Sequence, residues 1–261
     1  MINNIKTALT ALIVIMVAGS CFNKDESVTL LQADPAVNLS YLKFINVYTS
    51  PNPSAALPAA GPSVNIFVNN VKINAAAISY GGLFPAAPAY TAVKPAMGTN
   101  IKVILNRLTG GPLAGDTLSN KNYDLAANAY TTFYLADTIP NPTPFNPFLV
   151  PIQELVTTAP VGYFRARFVN MIPSADTLEV FSPRLNAVIF KGQLYKNATE
   201  VIELPTYLVS DVLQLRKVSA PATTLQTLSF FPTSSRVYTI YCSGNITGTP
   251  KARVLTSFTN R

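Results

Sequence analysis

Histidine and tryptophan are absent from the 261 residues, and cysteine occurs only at Cys21 and Cys242. Without histidine, neither a Ser-His-Asp nor a Cys-His catalytic arrangement can be assembled. The usual zinc sites are excluded for the same reason. Acids are scarce as well, 12 Asp and Glu against 19 Lys and Arg, and none form the alternating run of a calcium loop. The net charge of +7 therefore reflects missing acids more than added bases. Those bases are scattered, with Arg216-Lys217 the longest run. Nucleic-acid binding needs a dense basic stripe that displaces counterions, so no nucleic-acid partner is expected. Asp176 with Glu179 has a short spacing, but a turn residue followed by a strand-face charge explains it better than a hydrolytic acid pair. No catalytic residue, metal site or cofactor is assigned, and the chain reads as a non-enzyme.

What is present suits strands. Apolar residues make up 49% of the chain, enough to bury a core, and 21 prolines punctuate runs rich in Val, Ile, Tyr and Phe. Phe164, Ala166 and Phe168 alternate with Arg165 and Arg167. Pro173 to Asp176 reads as a turn, and Leu178-Glu-Val-Phe181 as a returning strand. A looser copy lies earlier. Tyr41-Leu-Lys-Phe-Ile-Asn46 stands where Arg165-Ala-Arg-Phe-Val-Asn170 stands, and Val64-Asn-Ile-Phe67 matches Leu178-Glu-Val-Phe181. Tyr130-Thr-Thr-Phe-Tyr-Leu135 and Val237-Tyr-Thr-Ile-Tyr-Cys242 also correspond, as do Phe148–Leu155 and Ala252–Phe258. No segment after residue 38 has a capped helical period. Short strands about a dozen residues apart predict sandwiches. The expected architecture is all-β, two tandem immunoglobulin-like antiparallel β-sandwich domains over 38–158 and 160–261. The charges of the Phe164–Phe181 hairpin are expected on its outer face, with Glu179 opposite Arg165 or Arg167.

Asn46 and Asn170 recur at one place in the two copies. They admit two readings, a polar contact in a ligand site or a side chain that caps the backbone of a turn. Asparagine's turn chemistry favours the second. Cys242, in an apolar strand with nothing beside it to lower its pKa, reads as a buried inert thiol.

The first 20 residues form an export signal: Lys6, an apolar run from Ala8 to Ala18, then the small pair Gly19-Ser20. The run is short for a membrane span. Ala18-Gly19-Ser20-Cys21 resembles the lipobox of bacterial lipoproteins, departing from it at Ala18 where leucine is usual. The resemblance implies cleavage before Cys21 and acylation there, a membrane partner held through lipid. Several acyl chains hold stably, each buried CH₂ contributing about 0.8 kcal/mol. Residues 21–37 then read as a flexible tether. Lys24-Asp25-Glu26 just after the cysteine resembles the surface-export signal of Bacteroidota lipoproteins, which implies the outer membrane, facing the exterior.

Arg167-Phe-Val-Asn170, Pro173-Ser-Ala-Asp176, Leu178-Glu-Val-Phe181 and Tyr238-Thr-Ile240 together resemble the repeat of the domain of unknown function 4397 family. That family implies an immunoglobulin-like sandwich, often in tandem, and no established activity. Three of the seven aspartates lie in Asp116-Thr117-Leu118, Asp137-Thr138-Ile139 and Asp176-Thr177-Leu178. These are similar to the O-glycosylation motif of exported Bacteroidota proteins, with Thr117, Thr138 and Thr177 as acceptors, although Asp-Thr is also ordinary turn chemistry.

Three classes of function are compatible with these features. The leading one is a surface binding or adhesion module for a glycan or protein, with contacts on the loops at Pro51–Pro62, Gly82–Pro88 and Pro140–Pro147. The second is a structural or accessory subunit of an envelope or polysaccharide-uptake complex. An enzyme is the third, disfavoured by the missing histidine.

Overall fold

The computed structural model describes residues 38–48, 63–106, 116–137, 147–174, 176–208, 211–247 and 252–260. The export signal, Cys21, Lys24, Asp25 and Glu26, Thr138, and the loops at 51–62 and 140–146 lie outside the described residues. No described helix is long and apolar enough to cross a membrane.

The described residues form strands and short 3-10 turns, one of them at Thr206–Leu208. The first half contributes β1 (Ser40–Asn46), β2 (Val64–Val68), β3 (Val71–Lys72), β4 (Leu83–Phe84), β5 (Thr91–Val93), β6 (Thr99–Leu105), β7 (Thr117–Tyr123), β8 (Tyr130–Ala136) and β9 (Phe148–Gln153). The second contributes β10 (Tyr163–Asn170), β11 (Leu178–Ser182), β12 (Ala187–Gln193), β13 (Ile202–Pro205), β14 (Asp211–Lys217), β15 (Ala220–Phe230), β16 (Val237–Ser243) and β17 (Val254–Thr259).

Four sheets result. Sheet I has the order β4-β1-β8-β9, with β5 also on β1; sheet II is β3-β2-β6-β7. Sheet III is β13-β10-β16-β17, and sheet IV is β12-β11-β14-β15. The all-β sandwich expectation holds. Pairing is antiparallel with two exceptions that occupy the same place in each half. β1 runs parallel to β8, and β10 runs parallel to β16.

The expected hairpin is corrected. β10 lies in sheet III between β13 and β16, whereas β11 lies in sheet IV. Phe164, Ala166 and Phe168 point into the same core as Leu178 and Val180. That is possible only when the two strands approach the core from opposite sides, so the chain changes sheets between β10 and β11. The Asp176 amide donates to Ser174 Oγ at 2.9 Å, and Lys217 pairs with Asp176 at 2.7 Å. Glu179 stands opposite Arg216, not Arg165 or Arg167.

Three apolar clusters stack the sheets. Leu42, Phe44, Phe133 and Leu135 of sheet I meet Ile66, Ile101 and Val103 of sheet II. Phe164, Phe168 and Ile240 of sheet III meet Val180, Phe190 and Leu215 of sheet IV. Ile45, Tyr134 and Val150 of sheet I meet Val169, Tyr241 and Phe258 of sheet III. The order of layers is therefore II, I, III, IV, and the inner sheets are covered on both faces. Alternation explains this. Leu42 and Phe44 serve one cluster while Ile45 serves another, as Phe168 and Val169 do in β10.

Strands with a polar outer face were harder to read. β7, Thr-Leu-Ser-Asn-Lys-Asn-Tyr, is an edge strand buried mainly at Ser119. β15 is also an edge strand and tolerates Pro221 there. The two residues of β4 lie in what the sequence reads as a loop.

Ile45→Ala is expected to lower stability by about 2–5 kcal/mol, because it opens a cavity between the inner sheets. Val71→Ala, at an exposed site on sheet II, is expected to change it by less than about 0.5 kcal/mol. Urea denaturation of the two variants checks the contrast; equal losses would count against packing between sheets I and III.

Candidate functional site

The repeated strands bring equivalent positions face to face between sheets I and III. Lys43 and Arg167 occupy the same place in β1 and β10. Thr132 is the register partner of Lys43, and Thr239 of Arg167. Glu154 follows β9 as Asn260 follows β17, each one residue past the last ladder pair. All six side chains are buried. Their strands alternate, and the opposite face of each is committed to one of the two outer cores. The polar residues therefore meet at the interface between the inner sheets. The expectation that Arg167 decorates a solvent face is corrected: the second repeat is not a free-standing sandwich there, and sheet I covers it.

Glu154 is the hub. Its Oε2 accepts from Arg167 Nε at 3.1 Å and also from the second guanidinium nitrogen. It accepts from Thr239 Oγ1 at 2.9 Å and from Asn260 Nδ2 at 3.1 Å. Oε1 has no hydrogen-bond partner among the described residues. Lys43 Nζ, fully buried, also has none. Its ammonium lies 4.4 Å from the Tyr90 ring centre and 5.1 Å from that of Phe258, positions where ring faces attract a cation. Burial lowers the Lys43 pKa to about 8, and the Glu154 carboxylate only partly opposes this. Two bases thus share one acid, since Asn260 stands where a second acid could.

Tyr90 donates its hydroxyl to Asn260 Oδ1 at 3.1 Å. Burial and then the nearby Glu154 carboxylate hold that hydroxyl protonated, pushing its pKa well upward. Above Tyr90 and Asn260 opens a cleft of about 470 Å³, lined also by Tyr41, Tyr130 and Arg236. Tyr41 stacks on Tyr130 with ring centres 4.4 Å apart, and Tyr90 meets Tyr130 edge-on at 5.0 Å. The cleft combines aromatic rings, an exposed guanidinium and the upper edge of the polar cluster. Pro88, at the end of one expected contact loop, also borders it.

The asparagines repeated in the two copies play a different part. Asn46 Oδ1 accepts from the Tyr48 amide at 3.2 Å, and its Nδ2 donates to the Ile78 carbonyl at 3.0 Å. Asn170 Oδ1 accepts from the Ile172 amide at 3.0 Å, and its Nδ2 donates to the Gln193 carbonyl at 2.9 Å. Both are buried and each bonds to the backbone two residues ahead, the geometry of a turn cap. Cys242 is buried beside Asn170, with Sγ 3.3 Å from Oδ1, and burial pushes its thiol up to about 12. Of the Asp-Thr sites, Thr117 is exposed at the start of β7, whereas Thr177 is half-buried before β11. Among the described residues no group of three or more acids and cysteines could hold a metal.

Sequence reasoning missed Lys43, Tyr90, Glu154 and Asn260 as a group, because the first and last lie 217 positions apart. One signal was available: Lys43 aligns with Arg167 in a repeat where neighbouring positions are apolar.

No family model and no curated protein matches the chain. Among solved structures, the Bacillus anthracis TIE protein is similar at a TM-score of 0.22 and 10% identity, over 79% of this chain and 34% of that one. A likeness at that level says nothing about this chain's fold or role.

Arg167→Ala strands the buried Glu154 carboxylate and is expected to cost about 3–5 kcal/mol. Arg165→Ala breaks a half-exposed pair with Glu203 at 2.9 Å and is expected to cost less than about 1 kcal/mol. Equal urea midpoints for these variants would argue that Glu154 is not buried. In a Cys21→Ser background, Cys242 is the sole thiol. It is expected to resist a disulfide reagent at pH 8 in the native protein and to react fully in urea.

Proposed function

We propose that this chain is a lipid-anchored, non-enzymatic binding or adhesion module of the outer membrane or cell surface. Its two sandwich repeats present a tyrosine cleft to a ligand. The observation that carries the anchor is the Ala18-Gly19-Ser20-Cys21 sequence, followed by Lys24-Asp25-Glu26. The cleft of Tyr41, Tyr90, Tyr130 and Arg236 supports the binding role. Tyrosines offer flat rings with a polar edge, and Arg236 adds hydrogen-bond donors. A glycan chain, with apolar ring faces and many hydroxyls, is the ligand class this lining suits. The resemblance to the domain of unknown function 4397 repeat accords with a surface protein whose loops and clefts vary on a common sandwich.

A different feature favours the second reading, an accessory subunit of an envelope or polysaccharide-uptake complex. Val161 and Tyr207 are 88% and 69% exposed. They are brought together where the Thr206 amide donates to the Gly162 carbonyl. Exposed apolar residues gathered at one end of a sandwich suit contact with another protein.

Wild-type protein is expected to incorporate labelled fatty acid and sediment with membranes, and Cys21→Ser to do neither. Protease added to intact cells is expected to remove it; survival until lysis would rule out external display. On a polysaccharide panel, the Tyr41→Ala, Tyr130→Ala double variant is expected to bind any retained glycan roughly tenfold or more weakly. Flat titrations together with a fixed partner in cell crosslinking would favour the accessory reading.

A further inference from the structure

We propose that Lys43 and Asn260 are joined by an intramolecular amide bond that the protein forms on itself, tying the first strand to the residue after the last. This does not depend on the ligand of the cleft or on the membrane anchor.

The four parts such a reaction needs are gathered in one buried cluster. The nucleophile is the Lys43 amine, fully buried and without a hydrogen-bond partner among the described residues. It is held by ring contacts to Tyr90 and Phe258 at 4.4 and 5.1 Å. Phe258 lies two residues before Asn260, on the same face of the final strand, and Tyr90 is itself bonded to Asn260. Both contacts therefore put the amine on the side of the interface that carries the Asn260 carboxamide. The electrophile is Asn260 Cγ, in a side chain 4% exposed. The Tyr90 hydroxyl already donates to Asn260 Oδ1 at 3.1 Å, where negative charge collects when the carbonyl is attacked. Glu154 Oε2 lies 3.1 Å from Asn260 Nδ2, the atom that must leave.

The step balances without an outside reagent. Lys43 Nζ and Glu154 Oε1, both unpartnered among the described residues, first close to hydrogen-bond distance, and the ammonium then passes a proton to the carboxylate. The freed lone pair attacks Asn260 Cγ, and the carbonyl electrons move to Oδ1 beside the Tyr90 hydroxyl. Glu154 returns the proton to Nδ2, the Cγ–Nδ2 bond breaks, and ammonia departs while Nζ loses its remaining extra proton with it or to solvent. Nothing is oxidised or reduced. The low pKa that burial gives Lys43 makes the neutral amine accessible near neutral pH. Arg167 holds the carboxylate in place throughout, through Nε at 3.1 Å. The reaction occurs once per molecule, so it is compatible with a non-enzymatic role. It also explains why Asn260 departs from the acid found at the equivalent Glu154, because an amide carries its own leaving group.

Intact mass spectrometry of the purified full chain decides the matter. The wild type is expected to be lighter by one ammonia, about 17 Da, than its processed sequence. Its digest should contain a branched peptide joining Lys43 to Asn260. Lys43→Met and Glu154→Gln are each expected to restore the full mass, with Glu154→Gln keeping both reacting side chains. A wild-type mass equal to the sequence, with Lys43 and Asn260 in separate peptides, overturns the proposal. So does the same mass loss in Lys43→Met, which would mark cyclisation of Asn260 on its own backbone. A loss that persists in Glu154→Gln overturns the part given to Glu154. The wild-type reading stands even if a variant does not fold.

Discussion

The central strands of the inner sheets, β1, β8, β10 and β16, have almost no solvent face, and the rest of the unit depends on what that does to their polar residues. Strands β1 and β10 must satisfy two apolar environments at once. An ordinary sandwich strand alternates core and water, so a lysine or arginine at every second place is harmless. Here the water side of one sheet is the water side of the other. Lys43 and Arg167 are consequently committed to a shared interior, where an unpaired charge is costly and a partner is needed. Glu154 supplies that partner for Arg167. Tyr90 and Phe258 supply a weaker one for Lys43.

Much of this was legible at the level of elements and little of it at the level of contacts. Period-two alternation identified β1, β2, β10 and β11, because apolar side chains on one face leave an unambiguous trace. The repeat between Tyr41–Asn46 and Arg165–Asn170 was visible for the same reason. The crossover between β10 and β11 was not, since a short turn between two alternating runs looks alike whether the strands pair or face each other across a core. Edge strands β7 and β15 left no apolar run to detect. The burial of Arg167 could not be read at all, because it depends on a second sheet whose position no local pattern encodes. The caps at Asn46 and Asn170 were readable, since that role is local to a turn.

The matching strand arrangement of the two halves explains why the polar cluster is where it is. When two sheets of like strand order pack through the same face, each residue of that face meets a counterpart rather than an unrelated surface. Apolar positions then reinforce one another, as Tyr134 and Tyr241 do with ring centres 5.7 Å apart. Charged positions conflict, because a base in one copy is brought toward the base of the other. The conflict is eased by divergence at a second pair of equivalent positions, where one copy carries Glu154 and the other Asn260.

That divergence is asymmetric in a way that electrostatics alone does not require. Two acids would have given each base its own partner and left a closed pair of salt bridges. One acid and one amide leave the arginine satisfied and the lysine without an acceptor among the described residues, at an interface that also holds a carboxamide polarised by a tyrosine hydroxyl. If the interface had been shaped only for stability, an apolar residue at position 43 would serve it better, since a buried ion pair seldom exceeds a well-packed hydrophobe. A lysine kept buried, with only aromatic faces around its charge and with a polarised amide in the same interface, is better explained by the proposed reactivity than by packing.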